Sequence, residues 1–167
     1  MFSWPRRTVL HIRTAFNRTV KRTFASLQVR AICHATEDEQ RVRQALGQVV
    51  GDAPLDVTEA GGHHGNRIVI LEAELKDPKT VETFFGRFSD DDLDRLRESI
   101  DQRMDDGCNF FVRVDKQTAY GGTVKLAGND DAILVRLRIS TYPAKRETAC
   151  EIARLFLDEQ LAKKQPR

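Results

Sequence analysis

Cysteine is scarce and scattered in this chain. There are three, Cys33, Cys108 and Cys150, an odd number with no Cys-x-x-Cys pair. That spacing argues against a disulfide framework and against a zinc site. It fits reduced thiols in a cytoplasmic protein. Long apolar runs are missing as well. Stretches such as Ile68-Val69-Ile70-Leu71 are among the longest, far short of the ~20 residues a bilayer-crossing helix needs, so no membrane role is expected. Internal repeats and low-complexity segments are absent. So are a Gly-x-Ser-x-Gly elbow, a Walker loop and a Rossmann fingerprint. No nucleophile, base and orienting group stand at a recognisable spacing. The expectation is a protein that is not an enzyme, with no catalytic residues and no cofactor.

Acidic residues are missing from one region only. Residues 1–27 carry Arg6, Arg7, Arg13, Arg18, Lys21 and Arg22 and no acid. The whole chain has 27 basic and 25 acidic residues, so the part after residue 27 is slightly acidic. A body this close to neutral is no general polyanion sponge, and RNA affinity would have to come from a local patch or from the basic arm. The arm has the composition of a transit peptide. Val9, Ile12, Phe16 and Val20 would also suit a basic amphipathic helix. Residues 1–26 are read as an extension of little fixed structure, 27–163 as one domain, and 164–167 as a tail.

What is present in the domain is a clear alternation of strand and helix patterns. Leu27, Val29, Ala31 and Cys33 alternate with polar neighbours, as a half-buried strand does. Thr36-Glu37-Asp38-Glu39 has the form of a capping box. Val42, Ala45, Leu46, Val49 and Val50 then follow a helical period, and Gly51 stops it. Leu55 to Glu59 and Arg67 to Leu75 read as a hairpin around Gly61-Gly62-His63-His64-Gly65-Asn66. Asp77-Pro78 opens a helix, and Ser89 caps another that ends at Asp105-Asp106-Gly107. Strands are predicted from Cys108 to Asp115, from Gly122 through Leu126, and from Ile133 to Ile139. A last helix runs from about Pro143 to Leu161. Hairpins dominate and regular βαβ alternation is lacking. The fold class is therefore α+β, an antiparallel sheet with helices packed on one face in a single domain. The other face is left for a partner.

The candidate binding residues are those suited to phosphates, bases and 2′-hydroxyls. His63 and His64 sit in a Gly-flanked turn whose backbone N–H groups and imidazoles could meet phosphate. The bland alternative is a hairpin tip whose Gly and Asn satisfy turn geometry. Adjacent histidines do not readily share one ion and no third ligand is placed by spacing, so no metal is expected. Arg67 follows the turn. Lys116 offers a point charge, Gln117 an amide for a base edge or 2′-OH, and Tyr120 a ring for stacking. Against this, a Tyr beside a Gly-Gly turn is often packing. Arg136 and Arg138 share one side of their strand, with Arg30 and Arg113 comparably placed in other strands. That arrangement gives either a basic stripe or ordinary cross-strand pairing to acids such as Glu72 and Asp115. Lys145 and Arg146 lie in the first turn of the last helix, where cations oppose the dipole. Asp90-Asp91-Asp92 and Asp105-Asp106 read as a helix cap and a helix stop rather than as chemistry.

Five stretches, His34 to Glu39, Gly62 to Asn66, Ile68 to Ala73, Asp115 to Tyr120 and Tyr142 to Glu147, carry a family resemblance. From about Leu27 to about Leu161 the chain resembles an archaeal family described as RNA-binding, predicted exosome-subunit proteins. The resemblance implies an α+β fold similar to the ribosomal protein that holds 5S RNA. It also implies a non-catalytic RNA-linked role, accessory to RNA processing with the exosome or on the ribosome, with structured or duplex RNA as partner. The alternative is a protein–protein adaptor of the same fold with little RNA affinity, which the near-neutral body favours. A nuclease built on the His pair comes third.

Overall fold

The structure is a computed structural model and describes residues 24–165. The expectations for the basic arm before Phe24 and for the last two residues lie outside the described residues. Five strands are present: β1 (Phe24–Cys33), β2 (Asp56–Gly61), β3 (Arg67–Leu75), β4 (Asn109–Asp115) and β5 (Ala132–Ile139). The helices are α1 (Glu39–Val50), α2 (Pro78–Gly86), α3 (Asp90–Glu98), α4 (Ile100–Arg103), α5 (Lys116–Tyr120) and α6 (Arg146–Lys164). The strands form one open antiparallel sheet in the order β2-β3-β1-β5-β4. This is the expected α+β class. The longest strand lies in the middle, and every pair is antiparallel.

The alternation of β1 fixes which face is buried. Leu27, Val29, Ala31 and Cys33 point into the core, while Arg30 and Ile32 point out. β1 begins three residues earlier than its pattern suggests. A register shift between Phe24 and Ser26 turns Phe24 inward, where its ring meets Phe156 of α6 at 5.0 Å. An extra residue in one strand breaks the period of two. The core between sheet and helices is rich in aromatics: Phe84, Phe85, Phe88 and Phe110 are fully buried, and the first three meet in edge-on or tilted pairs.

Four local expectations differ from the structure. Thr36 does not cap α1; Asp38 does, its carboxylate accepting from Gln40 N–H at 2.9 Å. Asp is as good a cap as Thr, and Glu39 accepts from Arg43 instead of reaching back to the cap. Residues 116–120 form the short helix α5, started by Asp115, whose side chain accepts from Thr118 N–H at 2.8 Å. The strand expected before Leu126 is reduced to a single bridge, Val114 to Leu126. Asp115 N–H to Lys125 O and Ala127 N–H to Arg113 O, both 2.9 Å, lay this segment along the edge of β4. The last helix starts at Arg146 rather than near Pro143, after a turn in which Thr141 Oγ1 accepts from Lys145 N–H at 3.2 Å.

Candidate nucleic-acid interface

Lys116 is not the free cation its sequence position suggests. It is 3 % exposed. Its ammonium donates to Glu37 Oε1 and Oε2 at 2.9 and 3.0 Å and to the Ile32 carbonyl at 2.8 Å, and it pairs with Asp131 at 2.6 Å. An ammonium has three donors, and these acceptors use them. Burial works against the charge, but the hydrogen bonds to Asp131 and Glu37 outweigh it and hold the pKa above its ordinary value. Glu37 also accepts from His34 N–H at 2.9 Å, so the side chain ties β1, the loop before α1 and the start of α5 together. Ligand atoms of His34, Glu37 and Asp131 lie within 4.8 Å of one another. Two of those three groups already hold the Lys116 ammonium, which a metal ion would have to displace.

His63 and His64 stand exposed at the tip of the β2–β3 hairpin, their rings edge-on at 4.9 Å. Gly62 and Asn66 close the turn through Gly62 N–H to Asn66 O at 2.7 Å. Gly65 has φ +77° and His64 has φ 78°, so this tip uses the left-handed region that glycine accepts without penalty. A Cβ on Gly62 would meet Ile68 Cδ1 at 2.9 Å. Turn geometry thus accounts for both glycines. Arg67 is exposed but engaged, with Glu59 across the hairpin and with Glu39 at 3.8 Å.

The open face of the sheet brings most of the remaining candidates together. The register places Asp56, Glu72, Arg30, Leu134 and Arg113 in one row across all five strands. The next row holds Glu74, Gln28, Arg136 and Phe111, and beyond it Arg138 lies opposite Asn109. The acids occupy the β2–β3 half and the arginines the β1–β5–β4 half. Arg30 pairs with Glu72 at 3.6 Å and Arg113 with Asp130 at 2.8 Å. Among the described residues, Arg136 and Arg138 make no ion pair. A shallow depression runs between the two halves, with Phe111 and Leu134 half-buried in its floor. Arg103 of α4 joins the basic half; burial, then the neighbouring Arg113, push its pKa down, without discharging a guanidinium. No local pattern marks Arg103, because its position depends on α4 folding beside β4.

The two basic residues at α6 separate. Arg146 donates from Nε to the Met104 carbonyl at 3.2 Å and from Nη2 to the Asp101 carbonyl, fastening the start of α6 to α4. Lys145 is exposed. Gln117 is exposed too, and Tyr120 presents part of its ring to a groove between α1 and α5, with the Arg41 guanidinium 5.3 Å from the ring centroid. The sequence-selected residues therefore fall in four places: the hairpin tip, the open sheet face, the α1–α5 groove and the α4–α6 junction. Lys116 and Arg146 serve the scaffold. No helix among the described residues is long and apolar enough to cross a membrane.

A family model described as RNA binding matches residues 26–139. A Pyrococcus abyssi protein named RNA-binding protein PAB1135 is 32 % identical over 143 residues, covering 80 % of this chain and 93 % of the relative. Among solved structures, Mth689, a DUF54 protein from Methanothermobacter thermautotrophicus, superposes with a TM-score of 0.71 at 30 % identity, over 81 % of this chain and 98 % of that one. The DUF54 protein AF2318 of Archaeglobus fulgidus gives 0.67 at 32 % identity, over 79 % and 98 %. With a match that spans the sheet and most of the helices, the chain belongs to the RNA-binding family that these archaeal proteins represent.

Proposed function

We propose that the protein binds structured RNA without catalysis, through the basic half of its open sheet face. The observation that carries this reading is the pair Arg136 and Arg138, both exposed and in no ion pair among the described residues, beside the half-buried ring of Phe111. Exposed arginines on a sheet next to aromatics suit phosphates, 2′-hydroxyls and splayed bases. Arg30 and Arg113 would join by exchanging their carboxylates for phosphate. His63, His64 and Lys145, all exposed, would extend the contact along the backbone of a longer RNA. The family and the name of the relative support RNA binding; the role we propose on that basis is an accessory one in RNA processing, associated with the exosome or linked to the ribosome, in the cytoplasm.

One observation favours a second reading, that of a protein–protein adaptor. Asp56, Glu72 and Glu74 share the same face and would repel a phosphate backbone laid across all five strands. The test is binding of stem-loop and duplex RNA across a salt series, with the full chain and with a chain beginning at Phe24. Binding by both, with the affinity of each falling steeply with salt, supports the sheet face. Binding lost once the basic arm is removed supports the adaptor.

A further inference from the structure

We propose that the groove between α1 and α5 is a pocket for one unstacked nucleobase bearing an exocyclic amino group. The inference deepens the RNA reading above and takes its biological setting from it. The groove offers about 380 Å³ of space, within the range of small-ligand pockets. Its walls are two planar groups: the Tyr120 ring and the Arg41 guanidinium 5.3 Å from its centroid. Val42 supplies an apolar patch, and Thr36, Asp38 and Gln117 the polar rim.

One wall is fixed and the other is able to move. Tyr120 ends α5, which is anchored at its start by the Asp115 cap and by the buried Lys116. Arg41 stands exposed on α1, on a long side chain. A guanidinium stacks on a base as well as on tyrosine, so Arg41 swings outward and a base enters between the two planes.

The chemistry of the rim favours a base over a phosphate. The Lys116 ammonium at the floor is already matched by Glu37 and Asp131, which leaves no free ammonium for an anion. Asp38 spends one carboxylate oxygen on Gln40 N–H at 2.9 Å and has the other for a ligand. A carboxylate only accepts, so it selects N–H donors. Cytosine, adenine and guanine present an amino group that reaches the carboxylate unhindered, whereas uracil's one edge donor, N3–H, lies between two carbonyl oxygens that the carboxylate repels. The Gln117 amide both donates and accepts, completing the base edge.

The test uses the ¹⁵N-labelled full chain titrated with the 5′-monophosphates of cytidine, adenosine, guanosine and uridine, read at the Gln117 side-chain amide and the Tyr120 signals. At least one amino-bearing nucleotide is expected to shift both, and uridine monophosphate several times less. Tyr120→Phe keeps the response and Tyr120→Ala removes it; Gln117→Ala, at an exposed position, weakens it with the fold intact. On a stem-loop with one unpaired cytidine, Tyr120→Ala lowers affinity about tenfold and leaves plain duplex binding unchanged. Absence of any shift at Gln117 and Tyr120 overturns the pocket, whether or not RNA binds the sheet. A uridine response equal to the largest of the others overturns the amino-group preference. Nucleotide shifts at these signals, in a protein whose sheet-face variants bind RNA normally, uphold the pocket and remove the sheet-face reading.

Discussion

The Lys116 ammonium sits between the two carboxylate oxygens of Glu37, 2.9 and 3.0 Å away, and ties the loop before α1 to the end of β4. Replacing Lys116 with Met leaves Glu37, Asp131 and the Ile32 carbonyl facing one another without their shared donor. Removing one partner of a buried pair is costly, but Asp131 is half exposed and water recovers part of the loss. The expected destabilisation is about 1–4 kcal/mol in urea unfolding, with RNA affinity of the folded variant unchanged. Because the folded-state pKa of Lys116 is raised, its contribution is full below the unfolded lysine's pKa and fades as pH rises through the folded value. The gap between wild type and Lys116→Met should hold at neutral pH and close only in alkali. Lost RNA affinity at full stability would instead return Lys116 to a ligand-binding role.

Asp105 stabilises the turn that leads into β4. Its carboxylate accepts from Asn109 N–H at 2.8 Å and from the Asn109 side-chain amide at 2.9 and 3.1 Å, next to Cys108 at φ 61°. Burial alone would raise its pKa, but the bonds from Asn109 and Gly107, helped by Arg136, lower it. A lowered carboxylate stabilises the fold above its unfolded pKa, and that contribution is lost as pH falls through the folded value. Asp105→Ala should cost about 1–3 kcal/mol at neutral pH. The difference from wild type should vanish in acid unfolding below the ordinary aspartate range. A pH-independent difference would mean that the turn, not the charge, is what matters.

Arg146 and Lys145 are neighbours with opposite expectations. Arg146→Met removes the ties to Met104 and Asp101 and should lower the unfolding midpoint by an amount equivalent to about 1–3 kcal/mol. Lys145→Ala, at an exposed site, should leave stability within about 0.5 kcal/mol. Only Lys145 is then able to contribute to RNA affinity, and a filter-binding series on both variants checks this.

The periodicities of β1, β3, β5 and α1 were legible because each buries one face, and burial writes a period of two or 3.6 into the sequence. The Asp77 and Ser89 caps were legible for the same local reason. What could not be read were relationships across the sheet. Lys116 and Glu37 are 79 residues apart, and nothing local shows that the loop before α1 will fold over the end of β4. Arg30, Arg136 and Arg138 share a face as alternation suggests, but the neighbours that neutralise Arg30 and spare the other two follow from strand order. The capping box at Thr36 misled for a specific reason. Asp38 caps the helix two residues later by accepting from Gln40 N–H, and Glu39 pairs with Arg43 instead of reaching back.

That inequality among the arginines gives the sharpest functional expectation. Arg136 and Arg138 are exposed and in no ion pair among the described residues, whereas Arg30 is held by Glu72 at 3.6 Å. If RNA phosphates lie on the β5–β4 half, changing Arg136 and Arg138 together to Gln removes two phosphate contacts. The slope of log affinity against log salt should then flatten by about 1.4–1.8. Arg30→Gln alone should do less, because the Arg30–Glu72 pair presents little net charge to a phosphate. Glu72→Gln should do the reverse: it frees Arg30, removes a nearby repulsive charge, tightens binding and steepens the slope by up to about 0.9. Anisotropy titrations of a labelled stem-loop across salt measure all three. If Glu72→Gln leaves affinity and slope untouched while the double variant abolishes binding, the RNA path stays on β5 and β4 and does not reach β1. If none of the three moves the slope, the open sheet face is not where RNA binds.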